Sequence, residues 1–141
     1  MRLRYAAVIA VLLCPPALAD DNASTSPNDP IDQVLDECLA KPAGESTQGM
    51  VECFGAAYAA WDKELNAVYS ELLKSLEPAQ KQALKAAQLQ WIAFRDADDA
   101  YLASLQGPTS GSILRVTTNQ AMADLVKARV LQLRAYRDMD R

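Results

Sequence analysis

The sequence has 141 residues, half of them hydrophobic, and its 14 basic and 18 acidic residues give a net charge of −4. That length suits one domain. The sequence contains no histidine, which excludes a Ser-His-Asp triad, a Cys-His dyad and any zinc site with histidine ligands. An acidic chain without a basic cluster is a poor nucleic-acid binder, so we expect no nucleic-acid partner.

The first nineteen residues have the order of a secretory signal peptide. Met1–Arg4 carries two arginines, residues 5–13 form an apolar run, and Ala17-Leu18-Ala19 has the small-x-small pattern of a cleavage site. The apolar run is too short to span a bilayer. We expect cleavage after Ala19 and a bacterial protein that is periplasmic or secreted, with no membrane anchor once the signal is removed.

A lipoprotein signal is the alternative interpretation, with Cys14 as the lipidated residue, but Leu13 stands where such signals carry a small residue.

After cleavage at residue 19, 12 basic and 18 acidic residues remain, a net charge of −6. Residues 20–28 are polar and rich in helix breakers, which predicts a flexible N-terminal tail. Residues 29–141 then form the single folded domain.

Two cysteines remain in the mature chain, Cys38 and Cys53. Because the compartment oxidises thiols, we predict a disulfide between them that closes a loop of about fifteen residues. Two separate free thiols are the alternative. A catalytic redox pair is disfavoured, since it is normally spaced as Cys-x-x-Cys.

Apolar residues recur every three or four positions along the mature chain, a period that predicts helices and no strands. Asp29-Pro30 is typical of a helix start, and the short first helix is predicted to end near Ala40. Three long helices follow, over about residues 47–76, 78–105 and 112–139. The predicted fold is all-α: an antiparallel bundle of three long helices with a short N-terminal helix pinned by the disulfide.

The same periodicity predicts which side chains of the last two helices are buried. For the third helix the predicted stripe is Leu84, Ala87, Trp91, Phe94, Tyr101, Leu102 and Leu105. For the fourth helix it is Ile113, Val116, Met122, Leu125, Val126, Leu133 and Tyr136.

A tight break at Pro78 makes the second and third helices a hairpin, so residues equally far from the turn should lie side by side. The facing pairs are Asp62 with Arg95, Asn66 with Trp91, and Tyr69 with Gln88. A carboxylate can pair with a guanidinium bidentately, and amides can satisfy each other or a tyrosine hydroxyl. We interpret these six residues as a structural polar network, with a small recognition patch as the alternative. A catalytic role is disfavoured, because Asp62 has no second carboxylate near it and an isolated aspartate is a poor general acid.

Three carboxylates, Asp96, Asp98 and Asp99, lie in the middle of the third helix. Asp98 falls on the apolar stripe, where a carboxylate needs a partner or water. We expect it to pair with Arg95, Arg115 or the backbone of the fourth helix. The alternatives are an acidic face that meets a basic protein, and a metal site, which would want more oxygen ligands in a loop.

The loop between the third and fourth helices is the other candidate for partner binding, because recognition often uses exposed irregular segments. Together the candidate partner-binding residues are Asp96, Asp98, Asp99, Gln106, Thr109 and Ser110.

Several motifs, taken in order behind a signal peptide, resemble one known pattern. They are Cys38, Thr47, Met50 and Cys53, then Asp62-x-x-Leu65-Asn66-x-x-Tyr69, Gln88-x-x-Trp91-x-x-Phe94-Arg95-Asp96 and Leu125-x-x-x-Arg129-x-x-x-Leu133. Over about residues 36–134 they resemble the LprI-like lysozyme inhibitor family of secreted bacterial proteins. The resemblance implies an all-helical periplasmic or secreted domain and, as for a founding member, inhibition of lysozyme.

The sequence departs from that pattern at a second cysteine pair, which relatives of this kind usually carry. The corresponding positions here are Asp99 and one near Ala121. Their joint absence is consistent with one deleted disulfide, so we expect the fold to survive.

We therefore expect a protein-binding module that inhibits a cell-wall hydrolase, with lysozyme or another basic envelope protein as its partner. A net charge of −6 favours encounter with a basic protein. The alternative is an envelope accessory or structural domain that binds another periplasmic protein or peptidoglycan and does not inhibit lysozyme. The sequence shows no nucleophile with a base and no phosphate-binding loop, so we predict no enzyme activity, no cofactor and no metal.

Overall fold

A computed structural model describes residues 29–107 and 110–139. Its helices are α1 (Pro30–Leu39), α2 (Thr47–Ser75), α3 (Pro78–Ser104) and α4 (Ser112–Met139), with a short 3-10 turn, Pro42–Glu45, between α1 and α2. No strand occurs in the described ranges, which confirms the all-α prediction. The predicted signal peptide, its cleavage site and the tail of residues 20–28 lie outside the described residues.

Local side-chain caps explain where the helices begin. The Asp29 carboxylate accepts a hydrogen bond from the Ile31 N–H, just before a proline at the first position of α1. Ser46 accepts one from the Gly49 N–H at the start of α2. The Gln80 side chain accepts one from the Glu77 N–H, which fixes the tight connection into α3.

The core lies mainly between α2 and α4, which run parallel to each other. Arg115 of α4 donates to Gln48 near the start of α2, and Arg137 donates to Glu71 near its end. The side chains that fill this contact are Trp61, Leu65, Val68 and Leu72 from α2 and Val126, Val130 and Leu133 from α4. Each is at most 3% exposed, and burial of one such side chain contributes about 1.5–3 kcal/mol.

Helix α3 runs antiparallel to both and packs less closely than the sequence predicted. Its buried residues are Leu84 and Gln88, both in its N-terminal half. The predicted burial of Ala87, Phe94, Tyr101 and Leu105 is wrong, since all four are exposed. Because α2 and α4 already bury most of each other's apolar surface, the C-terminal half of α3 has no second core to enter.

The face of α3 that lies toward the other helices instead carries both polar and apolar side chains. It carries Leu84, Gln88, Trp91, Arg95 and Leu102, all buried or half-buried. In α4 the predicted burial of Ile113 and Tyr136 is also wrong, since they are 63% and 38% exposed. Both lie in the terminal turns of α4.

Helix α1 is fixed at both ends. The Cys38–Cys53 disulfide, with a Cα–Cα distance of 5.8 Å, confirms the predicted link to α2. At the other end, Arg134 lies 2.7 Å from the Asp29 carboxylate and Lys127 lies 2.8 Å from that of Asp32. These contacts hold α1 across α2 and α4.

The Asp29 carboxylate is almost fully buried, and burial by itself would raise its pKa. Hydrogen bonds from Arg134 and the Ile31 N–H, together with the positive charges of Arg134 and Lys127, outweigh burial and lower the pKa of Asp29. The carboxylate is therefore held in its charged form.

The 3-10 turn sits directly on the first turns of α2. A Cβ at Gly49 would overlap the Ala43 carbonyl oxygen, so glycine is required there despite its cost in a helix.

Of the helices in the described ranges, none combines the length and apolarity that crossing a membrane demands.

Candidate functional site

Arg95 on α3 joins α3 to α2. Its Nη1 lies 3.6 Å from Asp62 Oδ1, as the hairpin register predicts, and its Nε and Nη2 donate to Asp96 Oδ1 at 3.0 and 2.8 Å. The hydrogen bond with Asp96 raises the pKa of Arg95 against the opposing effect of burial, and the Asp96 and Asp62 charges add to the rise. The guanidinium also lies 5.5 Å from the centre of the Trp91 ring, within cation–π range.

Arg129 on α4 is the most buried guanidinium of the described residues, at 6% exposure. Its Nε and Nη2 donate to Gln88 Oε1 at 3.0 and 2.8 Å, and its Nη1 donates to Gln132 Oε1 at 2.6 Å. Within the described ranges no carboxylate pairs with it, and burial lowers the pKa of Arg129. It lies 5.8 Å from the centre of the same Trp91 ring.

Trp91 therefore has two guanidinium neighbours. One is Arg95 of its own helix, which contacts Asp62 of α2, and the other is Arg129 of α4. The sequence placed Gln88 opposite Tyr69, but its amide oxygen accepts from Arg129 instead. Sequence reasoning left Arg129 out of the network, although its spacing puts it on the apolar stripe of α4 between Val126 and Leu133. These contacts bind α3 to both core helices, and the structural role of the six-residue network stays a prediction.

The three carboxylates of α3 do not act as one cluster. Asp96 is engaged by Arg95, and Asp98 is half-buried. The expected pairing of Asp98 with Arg95 or Arg115 is wrong, because Arg95 contacts Asp62 and Asp96 while Arg115 donates to Gln48 at 2.9 Å. No group of carboxylates or cysteines in the described ranges is arranged to hold a metal ion.

Asp99 lies in a cleft between the C-terminal half of α3 and the N-terminal half of α4, which we call the α3–α4 cleft. It consists of two adjoining hollows of about 140 and 220 Å³ that share Asp99, Asn119 and Met122. The smaller hollow continues to Leu102, Ala103, Gln106 and Thr118, and the larger reaches α2 at Gly55 and Tyr58. Two of the candidate partner-binding residues, Asp99 and Gln106, are thus brought into one concave surface.

Of the other candidates that the structure describes, Asp96, Asp98 and Ser110 do not line this cleft. The Ser110 hydroxyl hydrogen-bonds to the Gly107 carbonyl at 2.7 Å, and Thr109 lies outside the described residues. Sequence reasoning missed Tyr58, Asn119 and Met122, which come from helices other than α3.

Comparison with known proteins gives the family. The family model described as "Lysozyme inhibitor LprI" matches residues 38–133. A crystal structure of an uncharacterized protein from Burkholderia thailandensis is similar, with 26% identity, a TM-score of 0.75, and coverage of 80% of this chain and 55% of that one. The chain thus spans about half the length of that protein, and no curated protein matches it. Since the family match extends from Cys38 across the polar network and the α3–α4 cleft to Leu133, the chain belongs to the LprI lysozyme inhibitor family.

Proposed function

We propose that the protein is a secreted or periplasmic module that inhibits a lysozyme or another cell-wall hydrolase by binding to its surface. Family membership over residues 38–133 is the observation that carries this proposal. Members of this family are inhibitors, which is consistent with action by binding and without catalysis.

The charge of the chain supports a basic partner. Of its acidic residues, Asp98 and Asp99 on α3 take part in no ion pair within the described ranges, so their charge is available to a partner. An excess of negative charge speeds encounter with a basic protein and orients the approach. Animal-type lysozymes are strongly basic proteins and are therefore partners of this kind.

The C-terminal half of α3 is the proposed contact surface. Phe94 and Tyr101 are 56% and 59% exposed there, beside the carboxylates of the same helix. Exposed aromatic side chains with nearby charges are typical of protein interfaces, where aromatic anchors supply most of the binding energy. This half of α3 also borders the α3–α4 cleft.

A lysozyme assay on a cell-wall suspension tests the proposal. The mature protein, from residue 20 onward, is titrated up to about tenfold molar excess, and we expect saturable inhibition. Tyr101→Ala should weaken inhibition without lowering the melting temperature, because the side chain is exposed. Val34→Ala on α1, where the side chain is 65% exposed, is the matched control and should inhibit as the parent does. Full lysozyme activity at the highest ratio, for both animal-type and bacterial lysozymes, would overturn the proposal.

A further inference from the structure

We infer that the α3–α4 cleft is a binding site for a cationic side chain, a lysine ammonium or an arginine guanidinium, presented by a partner protein. The inference deepens the proposed function and rests on it only in taking the partner to be a basic protein. The observations that carry it are the shape of the cleft and the direction of the hydrogen bonds around it.

The cleft lies beside the C-terminal half of α3, which packs less closely than the N-terminal half. In the N-terminal half of α3, the side chains of Leu84 and Gln88 are buried, and Arg129 of α4 donates a hydrogen bond to Gln88. Just beyond the end of α3, the Gln106 side chain donates a hydrogen bond to Thr118 of α4. The floor on α2 includes Gly55, where an added Cβ would meet nothing within 4 Å. A side chain entering from a partner therefore finds open space.

Each amide group of the cleft uses one of its two N–H donors inside the protein. Gln106 Nε2 donates to Thr118 Oγ1 at 2.9 Å, and Thr118 Oγ1 donates in turn to the Arg115 carbonyl at 3.2 Å. Asn119 Nδ2 donates to the same carbonyl at 2.8 Å. These directions leave the amide oxygens of Gln106 and Asn119 as acceptors with no donor from the described residues.

The carboxylate of Asp99 adds a negative charge to these two acceptors. Asp99 takes part in no ion pair or hydrogen bond within the described ranges, and none of the residues that line the cleft is basic. The arginines one turn away are engaged elsewhere: Arg95 contacts Asp62 and Asp96, and Arg115 donates to Gln48. The cleft thus offers acceptor oxygens and one carboxylate that has no ion-pair partner among the described residues.

A lysine or arginine side chain matches that set of groups. Both carry several hydrogen-bond donors and a positive charge, so they can donate to the two amide oxygens and pair with the Asp99 carboxylate. Their aliphatic stems suit the apolar walls formed by Leu102, Ala103 and Met122. An anionic ligand would be repelled by the charge of the Asp99 carboxylate.

The test uses a probe that does not depend on lysozyme. Backbone amide signals of the mature protein are followed by NMR while N-acetyl-arginine amide is added, with the citrulline analogue as an uncharged probe of nearly the same shape. We expect saturable shifts at residues 99, 106, 119 and 122 with the arginine probe and none of comparable size with citrulline. Asp99→Asn should weaken arginine binding about three- to tenfold, the range for one partly exposed charged contact.

Asp36→Asn is the matched control, because Asp36 is an exposed carboxylate on α1 that takes part in no described ion pair. It removes the same charge away from the cleft and should leave arginine binding unchanged. Equal shifts with citrulline, shifts scattered over the surface, or equal weakening by Asp99→Asn and Asp36→Asn would overturn the inference.

A parallel lysozyme titration separates this inference from the proposed function. Saturable arginine-specific shifts in a protein that leaves lysozyme fully active would support the cleft site and refute the inhibitory function. Inhibition of lysozyme without arginine-specific shifts would refute the cleft site and leave the inhibitory function standing.

Discussion

The buried contact between Gln88 and Arg129 gives the sharpest stability prediction. Both side chains are 6% exposed, and two N–H groups of the guanidinium converge on one amide oxygen. Gln88→Leu keeps a side chain of similar size but removes that acceptor. The Nε–H and Nη2–H donors of a buried cation then lose their partner where little water can replace it.

The expected loss follows from these two bonds. A hydrogen bond to a charged group contributes about 1.5–3 kcal/mol, and the two bonds share one oxygen, so their contributions do not fully add. Arg129 keeps its bond to Gln132, but a buried donor left without an acceptor costs a further ~1–3 kcal/mol, the desolvation cost of that group. We therefore expect Gln88→Leu to lower the free energy of unfolding by about 3 kcal/mol. For a domain of about 110 residues, this corresponds to a fall in melting temperature of about 10–15 °C.

Urea and thermal unfolding, followed by far-UV circular dichroism, measure this loss. Gln132→Leu is the matched control: it removes an acceptor from the same guanidinium, but Gln132 is exposed and water can replace it. We expect the control to cost less than about 1 kcal/mol. Equal effects of the two substitutions would show that Arg129 is solvated in solution and that the burial argument is mistaken.

Three further predictions concern the other fixed contacts. Replacing both Cys38 and Cys53 by serine should lower the free energy of unfolding by about 3 kcal/mol, the value for a loop of this length; an unchanged urea midpoint would contradict it. Arg95→Ala should cost only about 1–2 kcal/mol, since Asp62 is 38% exposed and its contact with Arg95 is 3.6 Å long; a loss as large as that of Gln88→Leu would show a tighter pair. The lowered pKa of Asp29 contributes stability that is fully present above the ordinary value of 3.8 and is lost as the pH falls through the folded-state value. The difference in unfolding free energy between the parent and Asp29→Asn should accordingly shrink between about pH 6 and pH 2, and a constant difference would refute the assignment.

Features set by local chemistry were predictable from the sequence. The Asp29-Pro30 cap, the proline at position 78 and the Gly- and Ser-containing loop before α4 fix the helix ends within a few residues. The connection between α2 and α3 is so short that it also fixes their register, which is why the approach of Arg95 to Asp62 could be foreseen. The disulfide followed from the cysteine count and the compartment.

Features set by packing between distant segments were not predictable. Periodicity identifies an apolar stripe such as Phe94 and Tyr101, but not whether another helix lies against it. The partner of Gln88 is 41 residues away on α4, and no local signal connects the two. The cleft around Asp99 depends on the distance of α3 from α2 and α4. That distance is determined by the tight contact between α2 and α4.

Calorimetric titration of the mature protein with an animal-type lysozyme tests the central claim most directly, at salt concentrations of about 0.05 and 0.5 M. Because the proposed contact joins an acidic surface to a basic protein, we predict saturable binding that weakens strongly at the higher salt. Asp99→Asn should bind more weakly at low salt and lose less affinity as salt rises. Absence of binding at low salt, or an affinity that does not change with salt, would contradict the account.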